Sequence, residues 1–150
     1  MDLLEAMPQL LPIAISWAQE VAADVQAVGL HLNENSLAVA RLVGVHNPEK
    51  IRVKIVAQRP TPETLMLREA ATQAGLLWPR MAGLTLGYSI LIRQDQNSLR
   101  LLSHECRHVH QFESIGSIAD FLPIYLQQIV SGGYENAPLE IDARNHELSI

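Results

Sequence analysis

The chain has a single cysteine, Cys106, in 150 residues, so no disulfide can form within it and its core must hold the fold. A lone thiol with no secretion signal predicts a reducing, cytoplasmic setting. Basic residues are also scarce. Lys and Arg number 11 against 16 Asp and Glu, the net charge is −5, and the cations are scattered, so nothing suggests a nucleic-acid footprint. Long apolar runs are missing too. The nearest, residues 10–17, follows the acidic Asp2 and Glu5, contains Pro12 and soon meets Glu20 and Asp24. It predicts neither a signal peptide nor a membrane span. With no repeat, low-complexity tract or linker, one domain over residues 1–150 is expected, and about half of the chain is apolar, enough for a real core.

The pattern along the chain predicts mostly helices. A first helix is expected from near Pro12, with Ile13, Trp17, Val21, Val25 and Val28 on one stripe and Gly29 at its end. Asn33 suits the N-cap of a second, Leu32 and Leu37 are spaced for a hydrophobic staple, and Gly44 can close it with positive φ. This capped helix invites a helix-turn-helix reading of residues 32–45, which the acidic balance argues against. The alternation of Ile51, Val53 and Ile55 with Arg52 and Lys54 predicts a half-buried strand. A third helix is expected to open at Thr61-Pro62-Glu63 and end at Gly75. Residues 84–92 read as one further strand with Leu84, Leu86, Tyr88, Ile90 and Ile92 on one face and a bulge or close approach at Gly87. Then come a helix capped by Asn97 or Ser98, a helix over residues 120–130 that accommodates Pro123, a break at Ser131-Gly132-Gly133, and a last helix capped by Asn136 with Pro138 in its first turn. Helices with a small β-sheet whose strand precedes the helix after residue 97 define an α+β, mainly helical fold. Its N-terminal helical part covers about residues 1–45, where an apolar stripe serves an oligomer interface as well as a core.

That later helix carries H-E-C-R-H at residues 104–108. Histidines four apart on a helix point the same way, so His104 and His108 can reach one Zn²⁺, and Glu105 can act on a water bound to it. Leu101, Leu102, Val109 and Phe112 on the same helix predict that it packs on a core and is not a free solvated face. A catalytic zinc needs a third protein ligand. Glu113, Asp120, Glu135, Glu140, Asp142, Glu147, His110 and His146 are available downstream. His110 falls on the far side of the helix and Glu113 half a turn off the ligand face. Glu140 shares a helical face with Ala143 and Arg144, and the small Ala143 lets that helix approach closely, so Glu140 is the expected third ligand and Glu147 the alternate. A His₂–carboxylate set favours zinc over Mn²⁺, Co²⁺ or Fe²⁺. The metal-site part thus covers about residues 83–150.

H-E-x-x-H followed at a distance by a helical glutamate resembles the gluzincin branch of zinc metallopeptidases. The strings L-L-S-H-E-C-R-H-V-H-Q-F-E and Y-E-N-A-P-L-E-I-D-A-R resemble small bacterial zincin-like domains of unassigned substrate, over the part of the chain from Gly83 onward. The resemblance implies His104, His108 and Glu140 as ligands and Glu105 as the catalytic glutamate. It also implies that the strand within residues 84–92 borders the cleft, where an extended peptide can pair with its edge. The expected activity is zinc-dependent peptide-bond hydrolysis with a peptide or protein substrate, and neither nucleic acid nor membrane as partner. The alternative is a catalytically weak, zinc-stabilised binding or regulatory module. Tyr134, Tyr88, His146 and Arg144 are the candidates for stabilising an oxyanion, and Asp142 for orienting a ligand histidine. Cys106 turns away from the ligands and reads as buried filler, with redox gating the minor alternative. Arg107 and Gln111 suit contacts behind the ligands or between helices. Trp17 and Trp78 read as core or interface anchors.

Overall fold

The computed structural model describes residues 1–58, 60–76 and 82–149. Along the chain run α1 (Leu3–Val28), β1 (Leu30–His31), α2 (Glu34–Leu42), β2 (Arg52–Val56), α3 (Leu65–Gln73), β3 (Gly83–Leu86), β4 (Ser89–Arg93), α4 (Leu99–Ile115), α5 (Ile118–Gly132) and α6 (Pro138–Asn145). The four strands form a mixed sheet in the order β1-β2-β4-β3, parallel between β2 and β4 and antiparallel at its other two pairings. The fold is α+β and mainly helical, with β4 leading into the helix that bears H-E-C-R-H. Trp78 lies outside the described residues.

Helix α1 begins nine residues before Pro12. The Asp2 side chain accepts a bond from the Glu5 N–H, and the helix continues through Pro8 and Pro12. Its buried stripe is Leu10, Ala14, Ala18 and Val25; of the expected Ile13–Trp17–Val21–Val25–Val28 face Val25 is buried as expected, Ile13, Trp17 and Val21 are half-buried, and Val28 is exposed. Packing of that stripe against β4, α3 and α5 outweighs the hydrogen bonds the two prolines forgo. Trp17 is half-buried against the Leu10–Ala14–Leu67–Ala70 cluster, as expected of a core anchor.

The segment 84–92 is two strands, not one. Gly87 and Tyr88 form a two-residue turn, and Gly87 has φ +67°. Positive φ at the first turn residue alone is the requirement of a II′ hairpin turn, which glycine meets without steric cost. A two-residue turn preserves the apolar alternation, so the sequence pattern runs through it unbroken. Other boundaries move for similar local reasons. Helix α3 opens after Thr64, three residues later than expected, and ends at Gly75 with φ +77°. Helix α5 opens at Ser117 through a capping box in which Ser117 and Asp120 bond each other's backbone N–H, so Asp120 is inside the first turn and Pro123 beyond it. Helix α6 is capped by Ala137, because Asn136 ends a 3₁₀ turn (Tyr134–Asn136) and its amide donates to Gly132 O at 3.1 Å.

Other expectations hold. Asn33 caps α2, accepting from Ser36 N–H at 2.9 Å, and Gly44 follows with φ +105°. Ser98 caps α4, accepting from Leu101 N–H at 3.1 Å. A core of Ala40, Val43, Ile51, Ile90, Ile92 and Val109 joins the sheet to α2 and α4, and fully buried Cys106 belongs to it. Burial there pushes the Cys106 thiol up to about 12, which suits a filler and not a redox group. A second core stacks Phe112 on Phe121 (centroids 3.7 Å apart) between α4 and α5. These two cores clamp α4 on both sides and fix the direction of its polar face.

An added Cβ at Gly87 would touch nothing within 4 Å, so its cost there is backbone strain alone. Gly87→Ala should lose about 1–2 kcal/mol of stability in urea unfolding with an unchanged slope. A neutral result would mean that the turn tolerates a side chain at positive φ.

Candidate metal centre

The i, i+4 spacing on α4 puts the His104 and His108 rings 5.0 Å apart, and α6 brings Glu140 against both. His104 Nε2 lies 3.1 Å from Glu140 Oε1, and His108 Nε2 lies 3.1 Å from Glu140 Oε2. One ligand atom from each residue falls within 4.8 Å of the others, and all three residues are buried. Ala143, one turn after Glu140, is fully buried, which allows the close approach of α6 to α4.

The groups behind the histidines decide which ring nitrogen faces the centre. Gln111 Nε2 donates to Leu139 O (2.9 Å) and Asp142 Oδ2 (2.8 Å), so its amide is oriented with Oε1 toward His108 Nδ1, 2.7 Å away. That oxygen can only accept, so His108 carries its proton on Nδ1. Glu147 Oε2 lies 2.8 Å from His104 Nδ1 and imposes the same tautomer there. Both Nε2 lone pairs therefore point at the Glu140 carboxylate. Acceptors face acceptors, an arrangement that demands a cation between them: a metal ion, or a second proton on each ring. In the metal-free chain protons fill that need. Burial lowers the His104 pKa, yet the Glu140 hydrogen bond and the Glu105 and Glu140 charges outweigh it and push it up to about 9. His108 is raised by the same balance. Glu140, penalised by burial, is nonetheless held well below the usual carboxylate range by the two imidazoles. The buried His104–His108–Glu140 group could bind a metal ion, as expected.

Glu105 sits beside this group and is itself buried. Thr85 Oγ1 donates to its Oε1 at 2.8 Å, and a Cβ at Gly83 would lie 2.9 Å from its carboxyl carbon. Glycine at the start of β3 thus lets the strand press against the carboxylate. An open cleft of about 200 Å³ reaches His104, Glu105, Tyr134 and Glu147 from solvent. A smaller cavity of about 50 Å³ continues past Glu105 and Tyr134 to His108, Tyr125 and Glu140. A larger surface hollow, about 770 Å³ beside Trp17, Val56 and residues 60–64, contains none of these groups.

The remaining sequence candidates separate. Tyr134 lies at the junction of the two cavities, on the cavity wall it shares with Glu140. Burial and the Glu140 and Glu105 charges raise its pKa, so its hydroxyl remains a donor at neutral pH. Tyr88 is elsewhere: its hydroxyl donates to Glu113 Oε2 at 2.8 Å, and Glu113 also accepts from the His46 and Asn47 N–H groups, because the turn at Gly87 carries Tyr88 to the far end of the hairpin. Glu113 thus pins the loop after α2 and is not a ligand. His146 bonds the Asp142 backbone carbonyl of its own helix at 2.8 Å and does not line the centre. Asp142 orients a ligand histidine indirectly, receiving Arg107 (2.8 and 3.2 Å) and Gln111, and Gln111 in turn holds His108. Glu147 orients His104 and does not join the Nε2 side. Arg144 reaches the cleft rim, bonded to Glu135 O. Sequence reading missed Tyr125, whose buried hydroxyl donates to Glu140 Oε2 at 2.8 Å, and Thr85. Neither follows the helical spacing that exposed the histidines.

No known protein family, curated protein or solved structure matches the chain. Among the described residues, no helix is long and apolar enough to cross a membrane. Fold and site define a mainly helical α+β domain with a buried His₂–Glu group suited to a metal ion.

Metal titration by calorimetry should give one divalent metal ion per chain. Glu140→Ala should weaken it beyond detection, and Gln111→Leu by about 10–100-fold through loss of the bond that orients His108. Undiminished binding by Glu140→Ala would move the centre elsewhere.

Proposed function

We propose that the chain is a zinc-dependent peptidase. The observation that carries this reading is the placement of Glu105: a buried carboxylate beside three ligand residues, opening on a solvent-accessible cleft. The H-E-x-x-H spacing and the resemblance to gluzincins support the same conclusion. A His₂–carboxylate set with no fourth side chain among the described residues suits zinc with one open position. Zinc held by His104 Nε2, His108 Nε2 and Glu140 would supply Lewis acidity to a carbonyl and bring the pKa of a bound water toward about 7.

The protein's own groups would do the rest. Glu105, steadied by Thr85, takes the proton from the attacking water and delivers it to the leaving amine. Tyr134, protonated and at the cavity junction, donates a hydrogen bond to the carbonyl oxygen as negative charge develops on it. Glu147 and Gln111 hold both histidines in the ligating tautomer throughout.

A second reading keeps the metal and drops hydrolysis, leaving a zinc-stabilised binding or regulatory module. The small size of the cavity beside His108 and Glu140, about 50 Å³, favours it, since a closed site suits a structural ion. Glu105→Gln separates the two. For a peptidase the variant should bind zinc as the wild type does and lose at least about 1,000-fold in turnover of a peptide mixture read by mass spectrometry. A zinc-loaded wild type that cleaves nothing would leave the module.

A further inference from the structure

Each of the two helices that supply the centre also places an arginine one turn from its ligand residue. Arg100 lies four residues before His104 in the first turn of α4, and Arg144 lies four residues after Glu140 in the last turn of α6. Residues four apart share a helical face, and both side chains line the cleft of about 200 Å³ that opens on His104 and Glu105. Arg144 is half-buried and steadied by the Glu135 carbonyl, to which its Nη2 donates, and this leaves the rest of the guanidinium fork for a ligand. Arg100 is exposed at a helix start, where the macrodipole disfavours a cation, so helix stability does not account for it. The carboxylates of the cleft are engaged elsewhere, Glu105 by Thr85 and Glu147 by His104. Among the described residues, neither Arg100 nor Arg144 is ion-paired to an acid. Arg107 on α4, by contrast, is bound to Asp142 through two bonds.

We infer that the substrate is gripped by a carboxylate one or two residues from the scissile bond, bound by Arg100 and Arg144. This inference rests on the peptidase reading. One helical turn rises about 5.4 Å, and an extended chain advances about 3.3–3.6 Å per residue. A carboxylate at that separation therefore meets the arginines while the scissile carbonyl meets the ligand residues. Planar guanidinium groups bind carboxylates through paired hydrogen bonds, and two of them on one cleft select charge as well as shape. The carboxylate is a free C-terminus or an Asp or Glu side chain. The cleft volume favours the terminus: it is below the roughly 300–1,000 Å³ of sites that enclose larger ligands, and so suits the end of a chain.

The test gives the zinc-loaded full chain short acetylated peptides that end in a free acid or an amide, and amidated ones with Asp or Asn near the cleaved bond. Cleavage is followed by mass spectrometry. Binding is read separately by calorimetry on the zinc-loaded Glu105→Gln chain, which leaves the peptides intact. The free acid should exceed its amide at least about 10-fold in kcat/KM, chiefly through KM, and by a similar factor in affinity. Arg100→Gln and Arg144→Gln should each shrink that ratio with zinc content unchanged, and Arg144→Lys should restore part of it. A preference for Asp over Asn in amidated peptides, in place of the terminal preference, would support the inference and make the side chain the source. Equal handling of all four peptides, or a preference that survives in both arginine variants, would overturn the inference and leave the peptidase reading intact. Arginine-dependent binding of the acid with no cleavage by the wild type would leave a carboxylate site and overturn the peptidase reading alone. Neither binding nor cleavage by the folded, zinc-loaded chain would overturn both.

Discussion

The structure turns on the burial of one carboxylate. Glu140 is only 1% exposed, and an ionised group so far from water is tolerable only when it is surrounded by positive charge or hydrogen-bond donors. Its partners come from two other helices: His104 and His108 on α4 and Tyr125 on α5, while α6 carries Glu140 itself. Each helix must therefore hold its register to within a hydrogen-bond length. The aromatic stack of Phe112, Phe121 and Tyr125 fixes α5 against α4, and fully buried Ala137 and Ala143 keep α6 close. Apolar packing sets the distances, and the carboxylate makes them matter.

Outside this layer lies a second, equally determined one. Gln111 bridges His108 to α6 through Leu139 O and Asp142, and Arg107 bridges Asp142 to the Val43 carbonyl just beyond α2. Arg107 and Asp142 form a two-bond pair, the geometry in which guanidinium and carboxylate bind best. The polar face of α4 is thus divided by function: 104, 105 and 108 face the centre, while 107 and 111 anchor the helices that carry it. The His108 tautomer follows from this outer layer and the His104 tautomer from Glu147, not from Glu140.

Helical spacing made the site legible. His104 and His108 announce themselves because period 3.6 brings residues four apart onto one face, and Glu140 was reachable because Ala143 implied close helix contact. Sequence alone makes Glu147 a spare ligand, because it gives proximity and not which imidazole nitrogen is met. Tyr88 was misplaced because a two-residue turn leaves strand alternation intact, so the hairpin was invisible in the pattern of residues 84–92. The start of α1 was hidden by Pro8 and Pro12, which locally oppose a helix that tertiary packing sustains. Thr85 and Tyr125 join the centre through strand pairing and helix packing, contacts with no local signature.

The bond from Arg107 to the Val43 carbonyl has a consequence for cooperativity. It connects the end of α2, 64 residues before Arg107 in sequence, to the helix that carries His104 and His108 and, through Asp142, to the one that carries Glu140. An ion that binds only the folded state draws on all three segments at once, and its binding free energy is shared by whatever must be ordered to hold it. Opening of α2, α4 and α6 is then one event, not three. Amide hydrogens in α2, remote from the centre, would slow their exchange when the ion is bound, while those of α3, tied to neither Arg107 nor Asp142, would not.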